Sequence, residues 1–241
     1  MARQETAGTI INRVAVEVGL RQVSDPFSSI DEGFSQMVGL LNVAGQELVQ
    51  LDDWEVLLTP FTQVTSSADS GVYPLPDDYD RFVGQTGWDQ SNDVPIIGPL
   101  SPQDWAYLEG RDLASDSIYL SYRIYQSQLE VYPQPPPDAV NISFEYISRN
   151  WVQQADTTKV DLCTVAGDTV LLDPLLMQKF LKVKFLDAKN LPSQAARIEF
   201  ENVLQNRVGN DNGAPILSAS RSRYYPYLDA FYNTSDTGYG R

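Results

Sequence analysis

The sequence predicts an α+β protein: a four-helix bundle with an antiparallel β-rich lobe inserted between its second and third helices, followed by an extended C-terminal arm. Three observations carry this. Apolar residues recur at steps of three, four and seven near both ends of the chain, the period of helices with one buried face. Between them the texture changes to β-branched and aromatic residues punctuated by Pro60, Pro74, Pro76, Gly71, Gly84 and Gly87, the grammar of short strands and turns. Beyond Gly209 neither period persists, yet aromatics accumulate. The expected segments are 1–55 for the first helical hairpin, 56–172 for the lobe, 173–209 for the second hairpin and 210–241 for the arm.

The first helix is expected over residues 5 to 20, with Ile10, Val14 and Val18 spaced by four, Ile11 beside them, and Gly19 closing the end. Asp25-Pro26 breaks the chain before the next helix, because the residue before a proline is pushed out of the helical region. Ser29 to Leu51 is the long amphipathic helix on which the rest is organised. Ile30, Phe34, Met37, Leu41, Leu48 and Leu51 share one face, and Ser29 with Glu32 fits a capping box. Burying each large apolar side chain is worth ~1.5–3 kcal/mol before entropy, so this helix is first a core element. Its far end is awkward: Asp52 and Asp53 stand beside the negative pole of the helix dipole, with Trp54 as the hinge into the lobe.

In the lobe, Leu57 to Thr65 is expected as a strand and Ser66 to Ser70 as a polar loop. Asp77, Asp78 and Asp80, in Tyr73-Pro-Leu-Pro-Asp-Asp-Tyr79-Asp80, suggest a metal or acid/base cluster. The calcium-loop pattern with its Gly and terminal Glu is missing, and a turn of preferred turn residues explains them better. Ser101-Pro102-Gln103-Asp104 opens a short helix to about Glu109. Period-two alternation follows over Ile118 to Tyr125, Leu129 to Tyr132 and Val140 to Ile147. Three such runs at turn spacing predict three adjacent antiparallel strands with one face buried.

Asp173-Pro174 caps the third bundle helix, Leu175 to about Lys189, and Pro192-Ser193 separates it from the fourth, Gln194 to about Val208. Lys179, Lys182, Lys184 and Lys189 place four of the chain's five lysines on the third helix. Such a run is either a solvated face or a subunit contact that meets the acidic half of a neighbouring copy.

Composition narrows the chemistry. The 241 residues carry a net charge of −15, and residues 1 to 120 hold 5 Arg, no Lys and 19 Asp or Glu, so nearly all of the excess lies in the first half. A protein of this charge is not expected to grip nucleic acid by neutralising phosphates, although it can surround a duplex without holding it. There is no histidine, which removes imidazole-dependent triads and the commonest zinc ligand, and one cysteine, Cys163, which excludes an internal disulfide. No apolar run reaches the length of a membrane span, and the opening residues lack the apolar core of a signal peptide, so synthesis in the cytoplasm is expected. No cofactor, metal or catalytic residue is expected.

In this order of elements the sequence resembles the head-to-tail adaptor (connector or gateway) proteins of tailed bacteriophages, especially the tail tubular protein A-like adaptors of short-tailed phages. The resemblance lies in Thr9-Ile-Ile-Asn-Arg-Val14, in Phe34 to Leu51 running into Asp53-Trp54, and in Tyr73 to Tyr79. It continues through Tyr122-Arg-Ile-Tyr125, Leu129-Glu-Val-Tyr-Pro133 and Phe144-Glu-Tyr-Ile147, and into the closing helices with Gly213-Ala214. It implies a virion structural protein at the head–tail junction: a homo-oligomeric, typically dodecameric ring under the portal protein. The tail nozzle or tube would lie below, and double-stranded DNA would pass through. It implies too that residues 214 to 241 form an arm reaching the portal, with Tyr224, Tyr225, Tyr227, Phe231 and Tyr232 as anchors. Two rivals use the same residues differently. One is a cell-wall hydrolase working through paired carboxylates; the other is a lobe that binds a tail fibre or host sugar on Trp88 and Trp105, residues more readily explained as core or contact positions.

Overall fold

The computed structural model describes residues 4–84, 86–111 and 120–211. The chain combines helices with antiparallel sheets. Its elements are β1 (Glu5–Thr6), α1 (Ala7–Glu17), α2 (Glu32–Leu51), β2 (Leu58–Val64), β3 (Val72–Pro74), β4 (Tyr79–Phe82), β5 (Trp88–Asp89), β6 (Val94–Pro95) and α3 (Pro102–Arg111). They continue with β7 (Ser121–Tyr125), β8 (Gln128–Tyr132), β9 (Asn141–Ser148), β10 (Val152–Gln153), β11 (Lys159–Val160), β12 (Thr169–Val170), α4 (Pro174–Ala188) and α5 (Gln194–Asp211).

Helices α1, α2 and α4 pack against one another, and α5 lies along α4. Each of the first three is fixed by a local signal. α1 ends as its sequence predicts: Gly19 takes a positive φ of 82° and Leu20 N donates back to Ala15 O at 2.7 Å, closing the last turn. Its start differs, because residues 5 and 6 pair with β12 as a strand and the helix begins at Ala7. α2 starts later than the Ser29–Glu32 box predicts. Asp31 is the N-cap, its carboxylate accepting from Gly33 N at 2.8 Å, while Ser29 Oγ accepts from Asp31 N in the turn before it. An aspartate beside the positive pole of the helix does the same work as the predicted serine, with charge added. Ile30 therefore falls outside the helix and is 99% exposed, and Leu51 at the other end is 51% exposed. The buried stripe is Phe34, Met37, Leu41, Ala44, Leu48 and Val49. α4 begins at Asp173, whose carboxylate accepts from Leu176 N at 2.9 Å.

The three-strand sheet predicted over 118–147 is not formed. β7 and β8 pair through a two-residue turn, Gln126-Ser127, both at positive φ, which matches the right-handed twist of a hairpin, and β3 joins on the other side of β8. β9 leaves them. It pairs with all of β2, from Leu58↔Ile147 to Val64↔Asn141, and takes β4 and β5 on its other edge. Pro133 to Pro137 separates β8 from β9 by more than a hairpin turn, so the nearer strand in sequence is not the partner in space. Most of the alternation's apolar face is buried all the same: Tyr122, Leu129, Val131, Val140, Ile142 and Phe144 form one apolar cluster with Tyr73, Ile96 and Leu120. Ile124, expected on the face of Leu120 and Tyr122, is instead exposed at the hairpin end of β7, and Ile118 lies outside the described residues.

A second, larger cluster fills the helical part, and it recruits chain from beyond β9. Ile147, Trp151, Val152, Cys163, Val170, Leu171 and Leu172 join the buried residues of α1, α2 and α4. Residues 150–172 supply three strands of the small sheet β1-β12-β10-β11, with β1 as the fourth, and pack under the helices, apart from the cluster of the lobe. Two asparagines on the helices secure nearby loops by paired amide bonds. Asn12 holds Val23 through N–H and C=O at 3.1 and 2.9 Å, and Asn42 holds Cys163 the same way at 2.8 and 3.2 Å.

Candidate functional site

The junction of helical part and lobe is built on Arg81 of β4. Its Nη2 donates to Asp52 O at 2.7 Å and Val49 O at 3.1 Å, its Nε to Asp53 Oδ1 at 2.9 Å and its Nη1 to Asp80 Oδ2 at 2.6 Å. The planar fork thus caps the orphan carbonyls at the end of α2 and neutralises the acids gathered there. This offsets the Asp53 half of the awkward ending with a cation from twenty-eight residues downstream; the Asp52 carboxylate accepts from the Asp53 N–H at 2.9 Å, and its other oxygen is buried without a partner among the described residues. Trp54 completes the joint: it is buried, and its indole Nε1 donates to Leu48 O at 2.6 Å.

The acids of the Tyr73–Asp80 stretch do not converge on a ligand. Asp78 accepts from Tyr146 Oη at 2.9 Å and Ser148 Oγ at 2.6 Å, tying the turn to β9, and Asp80 pairs with Arg81. Burial and the Asp78 carboxylate together push the Tyr146 phenol up to about 12. Among the described residues no group of three His, Cys, Asp or Glu is placed to hold a metal ion. A depression of roughly 300 Å³ is lined by Asp53, Glu55, Leu58, Val83, Glu145 and Asp211. Two of its acids are committed elsewhere, Asp53 to Arg81 and Asp211 to the Glu55 backbone N–H at 2.9 Å.

Trp105 is no exposed platform. It is fully buried on α3, its Nε1 donates to Glu109 Oε1 at 2.7 Å, and the Arg123 guanidinium stacks over it at 4.3 Å. Trp88 is half-buried in β5.

The lysines of α4 are largely engaged within the chain. Lys182 pairs with Glu17 of α1 at 2.8 Å; Lys179 reaches Glu199 of α5 at 3.0 Å and Glu17 at 3.6 Å; Lys184 pairs with Glu47 of α2 at 2.6 Å. Lys189 lies over the Phe185 ring at 5.7 Å. Burial works against the Glu17 carboxylate, but the Lys182 hydrogen bond and the charges of Lys179 and Lys182 outweigh it and lower its pKa. The hydrogen bond from Lys179 likewise lowers Glu199, and the bond to Glu199 raises Lys179. A periodic lysine run in the sequence thus marks a helix shared by three others, a pattern that periodicity alone does not separate from a solvated face. Tyr224, Tyr225, Tyr227, Phe231 and Tyr232 lie outside the described residues.

Comparison with family models places the chain: residues 5–225 match the model described as SU10 adaptor protein. The chain belongs to the SU10 adaptor protein family, a family of bacteriophage structural adaptors, and is a virion component that interacts with other head and tail proteins. A comparison with curated proteins gave no match. Among the described residues no helix is long and apolar enough to cross a membrane.

Proposed function

We propose that this adaptor joins the portal of a tailed-phage head to the tail nozzle or tube, as one subunit of a dodecameric ring through which double-stranded DNA passes. The observation that carries the reading is the adaptor-family match over residues 5–225, nearly the whole chain. Charge supports the conduit. With −14 of the net −15 in residues 1 to 120, a wall formed by that half repels phosphates and leaves a duplex free to slide. Identical subunits with unlike faces close into rings by heterologous contacts. In this reading α1, α2, α4 and α5 act as one four-helix bundle, the strands of 58–148 are its inserted lobe, and residues 214–241 are the arm that reaches the portal. The lysine run Lys179, Lys182, Lys184 and Lys189 is the subunit contact.

The test is mass photometry and cryo-microscopy of the purified chain with and without its portal. A discrete ring seated on the portal is the expected result, and a monomer indifferent to the portal refutes the reading. Removing residues 214–241 should leave the helical part folded while portal attachment is lost; unimpaired attachment refutes the arm.

A further inference from the structure

α5 is held differently from the other long helices. α1 buries six residues, α2 eight and α4 six, whereas of the eighteen residues of α5 only Ala196 is buried. Phe200, Val203, Leu204 and Val208 are half-buried, with Phe200 stacked on Phe180 of α4 at 4.5 Å, and Ile198 is 50% exposed. α4 is already anchored without it, since Leu176, Met177 and Leu181 are fully buried in the core shared with α1 and α2.

Ion pairs set how α5 lies. Along α4 the outward charges run Asp173, then Lys179 and Lys182, then Asp187. Along α5, in the opposite direction, they are met by Arg207 at 3.0 Å, by Glu199 at 3.0 and 3.9 Å, and by Arg197. Negative, positive, negative on α4 thus faces positive, negative, positive on α5, and every one of these charges meets its opposite across the antiparallel pair. These pairs are partly exposed, with Arg197, Arg207 and Glu199 each 45–51% accessible, so they are open to screening by salt. The connection between the two helices is short, with Asn190 at a positive φ of 54° and Pro192 within it.

We infer that α5 is a detachable element, and that the α4 face it leaves, Phe180 ringed by Asp173, Lys179, Lys182 and Asp187, is a docking surface for α5 of a second copy of this chain. Exchange of an identical element preserves every contact and costs only the association of two chains, the usual route to a swapped assembly. The charge code admits that occupant because it was written for it. The inference stands whether or not the chain sits under a portal.

Two measurements test it on the full chain. Hydrogen exchange followed by mass spectrometry should show α5 amides opening about tenfold faster when salt is raised from low to high concentration, with α4 amides unchanged. α5 amides as protected as those of α4 at both salts overturn detachment. For the docking surface, Asp187→Arg in one copy sets arginine against its own Arg197, and Arg197→Asp in another sets aspartate against its own Asp187. Only exchange between the two pairs all four residues correctly. Native mass spectrometry of an equimolar mixture should show mixed species and slower α5 exchange than in either variant alone. A mixture that stays unmixed, with each variant exchanging as it does alone, overturns the second-copy assignment.

Discussion

The Trp151 indole lies against the backbone of α2 at Gly45, where a Cβ would sit 2.2 Å from Cε2 and Cζ2. Trp151 is fully buried, its Nε1 donating to Asp161 O at 2.8 Å, so it has no room to retreat. The absence of a side chain at position 45 is what lets the segment after β9 pack under the helices. Gly45→Ala should therefore destabilise the fold by about 2–3 kcal/mol through overpacking, although alanine is the better helix former. Gly39, on the exposed face of the same helix with nothing within 4 Å, gives the opposite sign. Gly39→Ala should stabilise by ~0.5–1 kcal/mol. Urea midpoints at constant m measure both, and a Gly45→Ala protein as stable as Gly39→Ala removes the packing argument.

Arg81 serves the end of α2 through four acceptors, which makes it hard to replace. Arg81→Ala leaves the Val49 and Asp52 carbonyls without this donor and Asp53 without its charge partner. A loss of ~1.5–3 kcal/mol is expected, tempered because the side chain is 31% exposed. Arg81→Lys restores the charge but not the fork, and should recover less than half of the loss. Thermal unfolding gives the magnitudes. Faster amide exchange in the last turn of α2, with α1 unchanged, would locate the effect; a uniform change would contradict it.

These two residues show where the sequence was legible and where it stopped. Periodicity placed α1, α2, α4 and α5 to within a few residues, because each has a buried stripe or a cap within reach of its own neighbours: Gly19 after α1, Asp173 before α4. It misplaced the start of α2 because Ser29 and Asp31 are both competent caps two residues apart, and only the buried set, beginning at Gly33 and Phe34 rather than Ile30, decides between them. Strand positions were legible and strand partners were not. Tyr122, Leu129 and Phe144 each announce a buried face, but nothing local states that β9 pairs with β2 some eighty residues earlier. The Arg81 cap and the Trp151–Gly45 contact are equally non-local. The candidate site was the least legible part: the α4 lysines carried a visible pattern, yet their partners Glu17, Glu47 and Glu199 lie on three other helices.

Asp173 has two functions that substitution can separate. It caps α4 through Leu176 N and pairs with Arg207 of α5 at 3.0 Å. Asp173→Ala removes both and should cost about 1–2 kcal/mol. Asp173→Asn keeps a capping oxygen and loses the charge, so it should cost only a few tenths of a kcal/mol, the worth of a half-exposed ion pair. Equal losses for the two variants, measured by denaturant unfolding, would show that the ion pair rather than the cap carries the stability.

The pH dependence has a sign on each side. Glu17, Glu199 and Asp187 are lowered in the folded chain, so their contribution is present above the ordinary carboxylate range and is lost as pH falls through it. On the alkaline side the buried Cys163 matters. Burial first, and the nearby Asp168 charge second, push its thiol from 9.0 up to about 12. Below pH 9.0 the thiol is protonated in both states and folding loses nothing. Between 9.0 and about 12 only the unfolded chain ionises, so stability falls steadily with rising pH across that window. Cys163→Ala should cost roughly 1 kcal/mol at neutral pH from lost packing, and should flatten the decline of Tm between pH 9 and pH 11. The same burial predicts that the native protein resists a thiol reagent at pH 8 and reacts once unfolded. Labelling as fast in the native state as in denaturant would show the thiol to be accessible and remove the basis for the alkaline slope.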